Sequence, residues 1–210
     1  MALLVFFLSA LTTLVFVVDP LATVPVFLAV TTRDSAEQRK RTARRAALAS
    51  TATLAGFGLF GTTLFTLLGI SVGAFQIAGG ILLLLLGIDM LRAQRSRQRT
   101  TPEEEAEGIE KEDASIFPLA IPMLAGPGAT STVMVLVSRA VGLFELALLG
   151  VSVVLVGLLT FVTLRAAGSL SARLGTTGLN VLQRVMGLVV SAFAIEFVVA
   201  GLRQAFPGLG

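Results

Sequence analysis

Apolar residues come in long unbroken runs along this chain, and most charged residues are confined to the intervals between them. Reading the runs between helix breakers predicts spans near 3–31, 46–68, 70–92, 116–138, 143–166 and 178–201. A hydrocarbon layer of roughly 30 Å needs about 20 apolar residues in helical form, so each run is long enough to cross it. The expected fold is all-α and membrane-spanning, with six transmembrane helices. The second and third runs meet at Gly69 and the fourth and fifth at Arg139 to Gly142, so tight turns are expected there. The third connection is longer. It begins basic with Arg95, Arg97 and Arg99 and turns acidic through Glu103, Glu104, Glu105, Glu107, Glu110, Glu112 and Asp113, the pattern of a solvated linker. The chain thus divides into a three-helix unit at 1–92, a charged cytoplasmic linker at 93–115 and a second three-helix unit at 116–210.

Composition agrees with this division. Of 210 residues 55% are hydrophobic and 14% charged, with a mean hydropathy of +0.90, which excludes an ordinary soluble domain. Cys, His, Trp and Tyr are all missing. Without Cys or His there is no disulfide, no ordinary zinc or haem ligation and no imidazole shuttle, so neither a metal nor a cofactor is expected and proton chemistry falls to carboxylates. The net charge of +3 and pI near 10.5 could suggest nucleic acid. The basic residues flank apolar spans, however, with no interleaved stacking aromatics, so the expected partner is a lipid bilayer and not nucleic acid. Six Lys and Arg fall in the first connection, five in the third and two in the fifth, against Arg139 and Arg203 on the other side. That asymmetry places the odd connections in the cytoplasm and both termini outside. The first run lacks a basic leader and an obvious small-x-small cleavage site, and it reads as the first helix rather than a signal peptide.

Sliding the sequence against itself by 107 positions pairs Pro20 with Pro127, Thr23 with Thr130, Gln76 with Gln183, Gly80 with Gly187 and Asp89 with Glu196. A proline, a mid-span glutamine and an acid coinciding in one register point to a duplicated unit. Three helices is an odd number, so the second unit enters the membrane from the opposite face, giving two inverted repeats.

The first and fourth spans are interrupted. VVDPLATVPVF carries Pro20 and Pro25, and IPMLAGPGATSTVM carries Pro122 and Pro127, loosened by Gly126 and Gly128. Freed backbone groups cannot face lipid, so the breaks should be buried or line a wet cavity. Asp19 reads as the N-cap of a new half-helix beginning at Pro20, and Gly126 with Pro127 can do the same in the second repeat. Thr23, Thr130, Ser131 and Thr132 crowd the first turns. Two such N-termini meeting at the midplane would offer N–H groups to a carboxylate, phosphate or zwitterion. The alternative is that the prolines only kink the spans and Asp19 merely caps one.

Asp19, Arg184 and Glu196 lie in apolar runs where a charge costs roughly 2.5 kcal/mol or more, so they are candidates for gating or for coupling to a proton or cation. Gln76 and Gln183 serve either as interhelical glue or as substrate contacts. Asp89, three residues before Arg92, is expected to form a local ion pair.

The Asp19 to Pro25 break, AFQIAGGILLLLLGIDML from Ala74, PLAIPMLAGPGATSTV from Pro118 and RVMGLVVSAFAIEFVVAGL from Arg184 together resemble the MarC family of integral membrane proteins. The resemblance covers nearly the whole chain. It implies a six-helix inner-membrane protein of bacteria, distantly similar to the LysE group of amino-acid exporters. Members of that family often carry Gly, Arg and Gln where this chain has Ala22, Gln76 and Glu196, and some have Asn in place of Asp19.

The expected function is secondary transport, most simply export, of a small polar or zwitterionic solute by alternating access between the repeats. Contacts are expected from Asp19, Pro20, Thr23, Pro25, Gln76, Gly126, Pro127, Gly128, Thr130, Ser131, Thr132 and Gln183. A passive channel and a non-transport accessory protein are the alternatives, homo-oligomerisation is left open, and no enzyme is expected because no nucleophile and base stand out at depth.

Overall fold

The computed structural model describes residues 1–32, 34–92 and 115–206, and those residues form helices and short connections without a strand. In chain order the elements are α1 (Ala2–Val18), α2 (Pro20–Val30), α3 (Ala36–Leu68), α4 (Val72–Leu91), a π-helix (Ser115–Leu124), α5 (Pro127–Arg139), α6 (Leu143–Arg165) and α7 (Ala167–Ala205). The charged linker from 93 to 114 lies outside the described residues.

Local chemistry accounts for most helix ends. A reciprocal capping box starts α3: Gln38 N–H donates to Ser35 Oγ at 3.3 Å while Ser35 N–H donates to Gln38 Oε1 at 2.8 Å. Ser71 Oγ caps α4 by accepting from Ala74 N–H at 3.1 Å. Arg39 Nε reaches back eight residues to donate to the Thr31 carbonyl at 3.0 Å, which sets a cation at the negative end of α2 and ties the α2–α3 corner. Between α3 and α4 the chain turns at Gly69, whose φ of +66° suits a residue without Cβ.

The boundaries differ from the expected ones at the polar ends. The first basic cluster does not form a loop, because helix α3 begins at Ala36 and carries Arg39, Lys40, Arg41, Arg44 and Arg45 on its first turns. The interval between the fifth and sixth runs is also mostly helical, bending at Gly175 (φ +61°). Charged residues with good helix propensity continue a helix beyond the apolar layer, so hydropathy marks the layer and not the helix.

Four stretches among the described residues are long and apolar enough to cross a bilayer: Ala2–Val30, Val72–Leu91, Leu143–Arg165 and Thr177–Ala205. The π-helix and α5, at 10 and 13 residues, are each too short on their own. Many large apolar side chains point outward, among them Leu59, Phe60 and Leu67 on α3 and Leu143 and Phe144 on α6. An apolar exterior of this kind fits immersion in hydrocarbon and not in water.

The core lies between the two chain halves. Helix α4 makes its most extensive contact with α7, α3 packs on α6, α1 touches α5 and α6, and α2 touches the π-helix, α6 and α7. Fully buried Leu14, Val18, Val24 and Phe27 from the first half meet Leu119, Leu124, Val133 and Leu164 from the second in one cluster.

Along α4 and α7 the contact is backbone against backbone. A Cβ built on Gly73 would lie 3.1 Å from the Gly201 carbonyl, one on Gly80 2.7 Å from the Ala194 carbonyl, and one on Gly87 3.0 Å from the Gly187 carbonyl. Small residues thus recur every seven positions on both helices in antiparallel order, letting the two backbones approach closely where any larger side chain would hold them apart.

Candidate functional site

The first interrupted helix breaks at a single residue. Asp19 takes a left-handed conformation (φ 46°, ψ 71°), the one positive φ at a non-glycine position among the described residues. Its N–H closes α1 by donating to the Val15 carbonyl at 3.1 Å. Its carboxylate Oδ1 opens α2 by accepting from Ala22 N–H at 3.2 Å, with Pro20 as the first helical residue. Asp tolerates this backbone region because its short polar side chain can bond locally, and Pro20 needs no N–H acceptor in the first turn. Asp19 is fully buried.

The second break is built differently. The π-helix ends at Leu124 after a cis Ile121–Pro122 peptide, and Ala125 N–H donates five residues back to Ala120 at 2.9 Å. Gly126 follows as the N-cap of α5, with Pro127 as its first residue. A Cβ on Gly126 would collide with the Pro122 carbonyl oxygen, so the chain needs glycine here to fold back on itself. Both breaks therefore fall where the prolines and their preceding residues predict, with the cap roles assigned to Asp19 and Gly126.

The two breaks come together. A Cβ on Gly128 would lie 3.9 Å from Val17 Cγ1, two residues before Asp19, and 2.9 Å from Leu83 Cδ2 on α4. Between them is a cavity of about 170 Å³ lined by Val17, Leu82, Leu86, Met123 and the segment Gly126 to Ala129. Its side-chain walls are apolar, and the polar lining available is main chain at the start of α5.

The remaining expected contacts are distributed unevenly. Thr23 is fully buried, and its Oγ1 finds no hydrogen-bond partner among the described residues; the same is true of buried Gln76 Oε1. Gln76 is therefore not seen acting as interhelical glue through that oxygen. Thr130 Oγ1 donates within its own helix to the Gly126 or Pro127 carbonyl, each at 3.1 Å, and Thr132 Oγ1 donates to Gly128 at 2.8 Å. These hydroxyl protons are committed to the backbone. Ser131 is buried against Gly79 of α4. Pro25 is exposed inside α2 and Gln183 is half-buried on α7, and neither lines the cavity. Arg184 and Glu196 occupy exposed positions on α7. The expected Asp89–Arg92 ion pair does not form; an ion pair does join Arg41 Nε to Glu37 Oε1, at 3.6 Å on the surface. Arg92 lies at the C-cap of α4, beyond the last turn that carries Asp89.

A profile described as MarC family integral membrane protein matches residues 4–206, nearly the full length. The chain belongs to the MarC family. It is 38% identical over 192 residues to the UPF0056 membrane protein YvbG of Bacillus subtilis, covering 91% of each chain. It is 36% identical over 200 residues to the UPF0056 membrane protein MJ1677 of Methanocaldococcus jannaschii, covering 95% of this chain and 97% of that one. The UPF0056 membrane protein YhcE of Escherichia coli is 36% identical over 193 residues, or 91% and 89% of the two chains. No solved structure matches the chain. This MarC protein is thus an integral membrane protein.

Residues missed from sequence include the apolar cavity walls Val17, Leu82, Leu86 and Met123, which nothing in a uniformly apolar run distinguishes from lipid-facing neighbours. The heptad of Gly73, Gly80 and Gly87 against Gly187, Ala194 and Gly201 was present as a spacing signal and marks where α4 and α7 pack together.

Proposed function

We propose that this MarC protein is a secondary transporter, most simply an exporter, that moves a small polar or zwitterionic solute by alternating access between two inverted three-helix repeats, six crossings in all. The convergence of the two interrupted helices on one cavity, with Gly128 against Val17, carries this reading.

The contact pattern supports the inverted relationship. Under the offset of 107, α1–α2 corresponds to the π-helix and α5, α3 to α6, and α4 to the second part of α7. Helices α3 and α4 touch their own counterparts, α6 and α7, and α1 with α5 is matched by the π-helix with α2. Cross-contacts also come in matched pairs: α1 with α6 and the π-helix with α3, α3 with α5 and α6 with α2, α4 with α5 and α7 with α2. A two-fold axis in the membrane plane generates such a set. The break pair joins as two half-helices with the π-helix and α5 together supplying the fourth crossing.

A cavity of about 170 Å³ is smaller than the roughly 300–1,000 Å³ of typical ligand sites. This conformation is therefore read as closed, and opening to either face would enlarge the gap and bring the α5 N-terminal amides, Thr23 Oγ1 and Gln76 Oε1 within reach of solute. Buried, unsatisfied oxygens cost about 1–3 kcal/mol each, a cost that a polar ligand or water would relieve. Asp19 holds the first break in shape, and coupling to a proton or cation through it is part of the same proposal.

The natural absence of Cys gives a clean background for labelling. Thr23→Cys and Ala129→Cys should react with a membrane-impermeant thiol reagent, and proteoliposomes should show counterflow of the transported solute. A channel would conduct without counterflow, whereas a dry accessory protein would leave both thiols unreactive from both faces.

A further inference from the structure

At the end of the bundle that carries the Arg cluster of α3, away from the breaks, the corner between α2 and α3 faces the junction of α6 and α7 across a groove of about 580 Å³. Its floor is apolar, formed by buried Phe27 and Leu164. Its rim is cationic. Arg39 is already engaged with the Thr31 carbonyl, but the Lys40 ammonium and the Arg165 guanidinium make no hydrogen bond or ion pair among the described residues. The one acid in the lining, Glu37, sits 3.6 Å from Arg41 on the neighbouring turn and leaves the rim with excess positive charge. Gly168 and Ser169 add the first turn of α7 to the lining.

We infer that this groove binds a phosphate group, carried by an anionic lipid headgroup or free in solution, between Lys40 and Arg165. Lys supplies a point charge and Arg a planar fork for phosphate oxygens, and the Ser169 hydroxyl supplies a further donor. The apolar floor provides a seat for the carbon skeleton that a lipid would bring, and basic recesses between membrane helices are suited to such headgroups. The volume falls within the range of ordinary ligand sites.

Detergent-solubilised full-length protein titrated with phosphatidylglycerol, phosphatidylcholine or inorganic phosphate, and read by native mass spectrometry, tests this. Phosphatidylglycerol should bind at least about fivefold more tightly than phosphatidylcholine, the scale of one well-placed cation. The double variant Lys40→Gln, Arg165→Gln should lose that preference, Lys40→Arg with Arg165→Lys should keep most of it, and Arg203→Gln at the other end of α7 should leave it intact. Circular dichroism of each variant checks that the helices persist. Binding of inorganic phosphate with the same dependence on Lys40 and Arg165, but no lipid preference, would assign the site to the free anion and still uphold it. Equal binding of the two lipids without phosphate binding, or a preference that survives the double glutamine variant, overturns the inference.

Discussion

Adding one methyl group at Gly80 and one at Gly56 should have opposite effects on stability. Both glycines lie inside helices, so alanine gains up to about 1 kcal/mol of helix propensity at each. At Gly56 on α3 nothing lies within 4 Å of the new Cβ, and the gain is expected in full. At Gly80 the Cβ would meet the Ala194 carbonyl at 2.7 Å and the Val198 amide nitrogen at 3.0 Å. Those are main-chain atoms of a packed helix and cannot rotate aside. Relieving them requires α4 and α7 to separate by several tenths of an ångström, loosening the contacts at Gly73 and Gly87 as well. Overpacking of this kind costs about 1–3 kcal/mol, so Gly80→Ala should be destabilised by up to about 2 kcal/mol net, and Gly80→Leu by more. At about 2–4 °C per kcal/mol for a chain of this size, the two alanine variants should melt roughly 3–10 °C apart. The chain has no Trp or Tyr, so melting is followed by circular dichroism at 222 nm in a single detergent. Equal Tm values, or a Gly80→Ala variant that melts above Gly56→Ala, would refute the backbone contact between α4 and α7.

The break residues give further tests. Asp19→Ala loses the cap to Ala22 and places a non-glycine, non-Asx residue at φ 46°, for an expected loss of about 2 kcal/mol, whereas Asp19→Asn should stay within about 0.5 kcal/mol; comparative melting separates them. Thr23→Val removes a buried hydroxyl without a partner and should raise stability by about 1 kcal/mol while lowering solute flux in proteoliposomes; a variant less stable than the parent would mean the hydroxyl is satisfied. Gly126→Ala must push the Pro122 carbonyl away and should cost about 1–3 kcal/mol, seen as a lower Tm and a smaller monodisperse fraction on size exclusion. Arg39→Ala gives up the bond to the Thr31 carbonyl at the end of α2, with an expected loss of about 1 kcal/mol in the same melting assay.

Sequence alone was enough to identify the apolar runs, the family resemblance, the turn at Gly69 and both breaks with their caps. Proline, glycine and a capping Asp act on their own backbone, so Asp19-Pro20 and Gly126-Pro127 interrupt a helix wherever it is packed. Hydropathy could not tell where α3 starts, because a helix whose first turns carry Arg39 to Arg45 simply continues past the apolar layer. Nor could it say which way a side chain faces. A span that is apolar all round has no amphipathic stripe, so Val17 and Met123 at the cavity are indistinguishable in sequence from neighbours on the outside. Tertiary packing decided that α4 and α7 meet along their glycines, that the breaks share one cavity, and that Arg184 and Glu196 stand on the exposed side of α7. The Thr130 and Thr132 hydroxyls turn back to their own helix for a local reason, a carbonyl one turn away. In a medium where hydrophobicity no longer separates inside from outside, close fit between helices is the physical quantity that selects the buried face, and that fit exists only once both halves are in place.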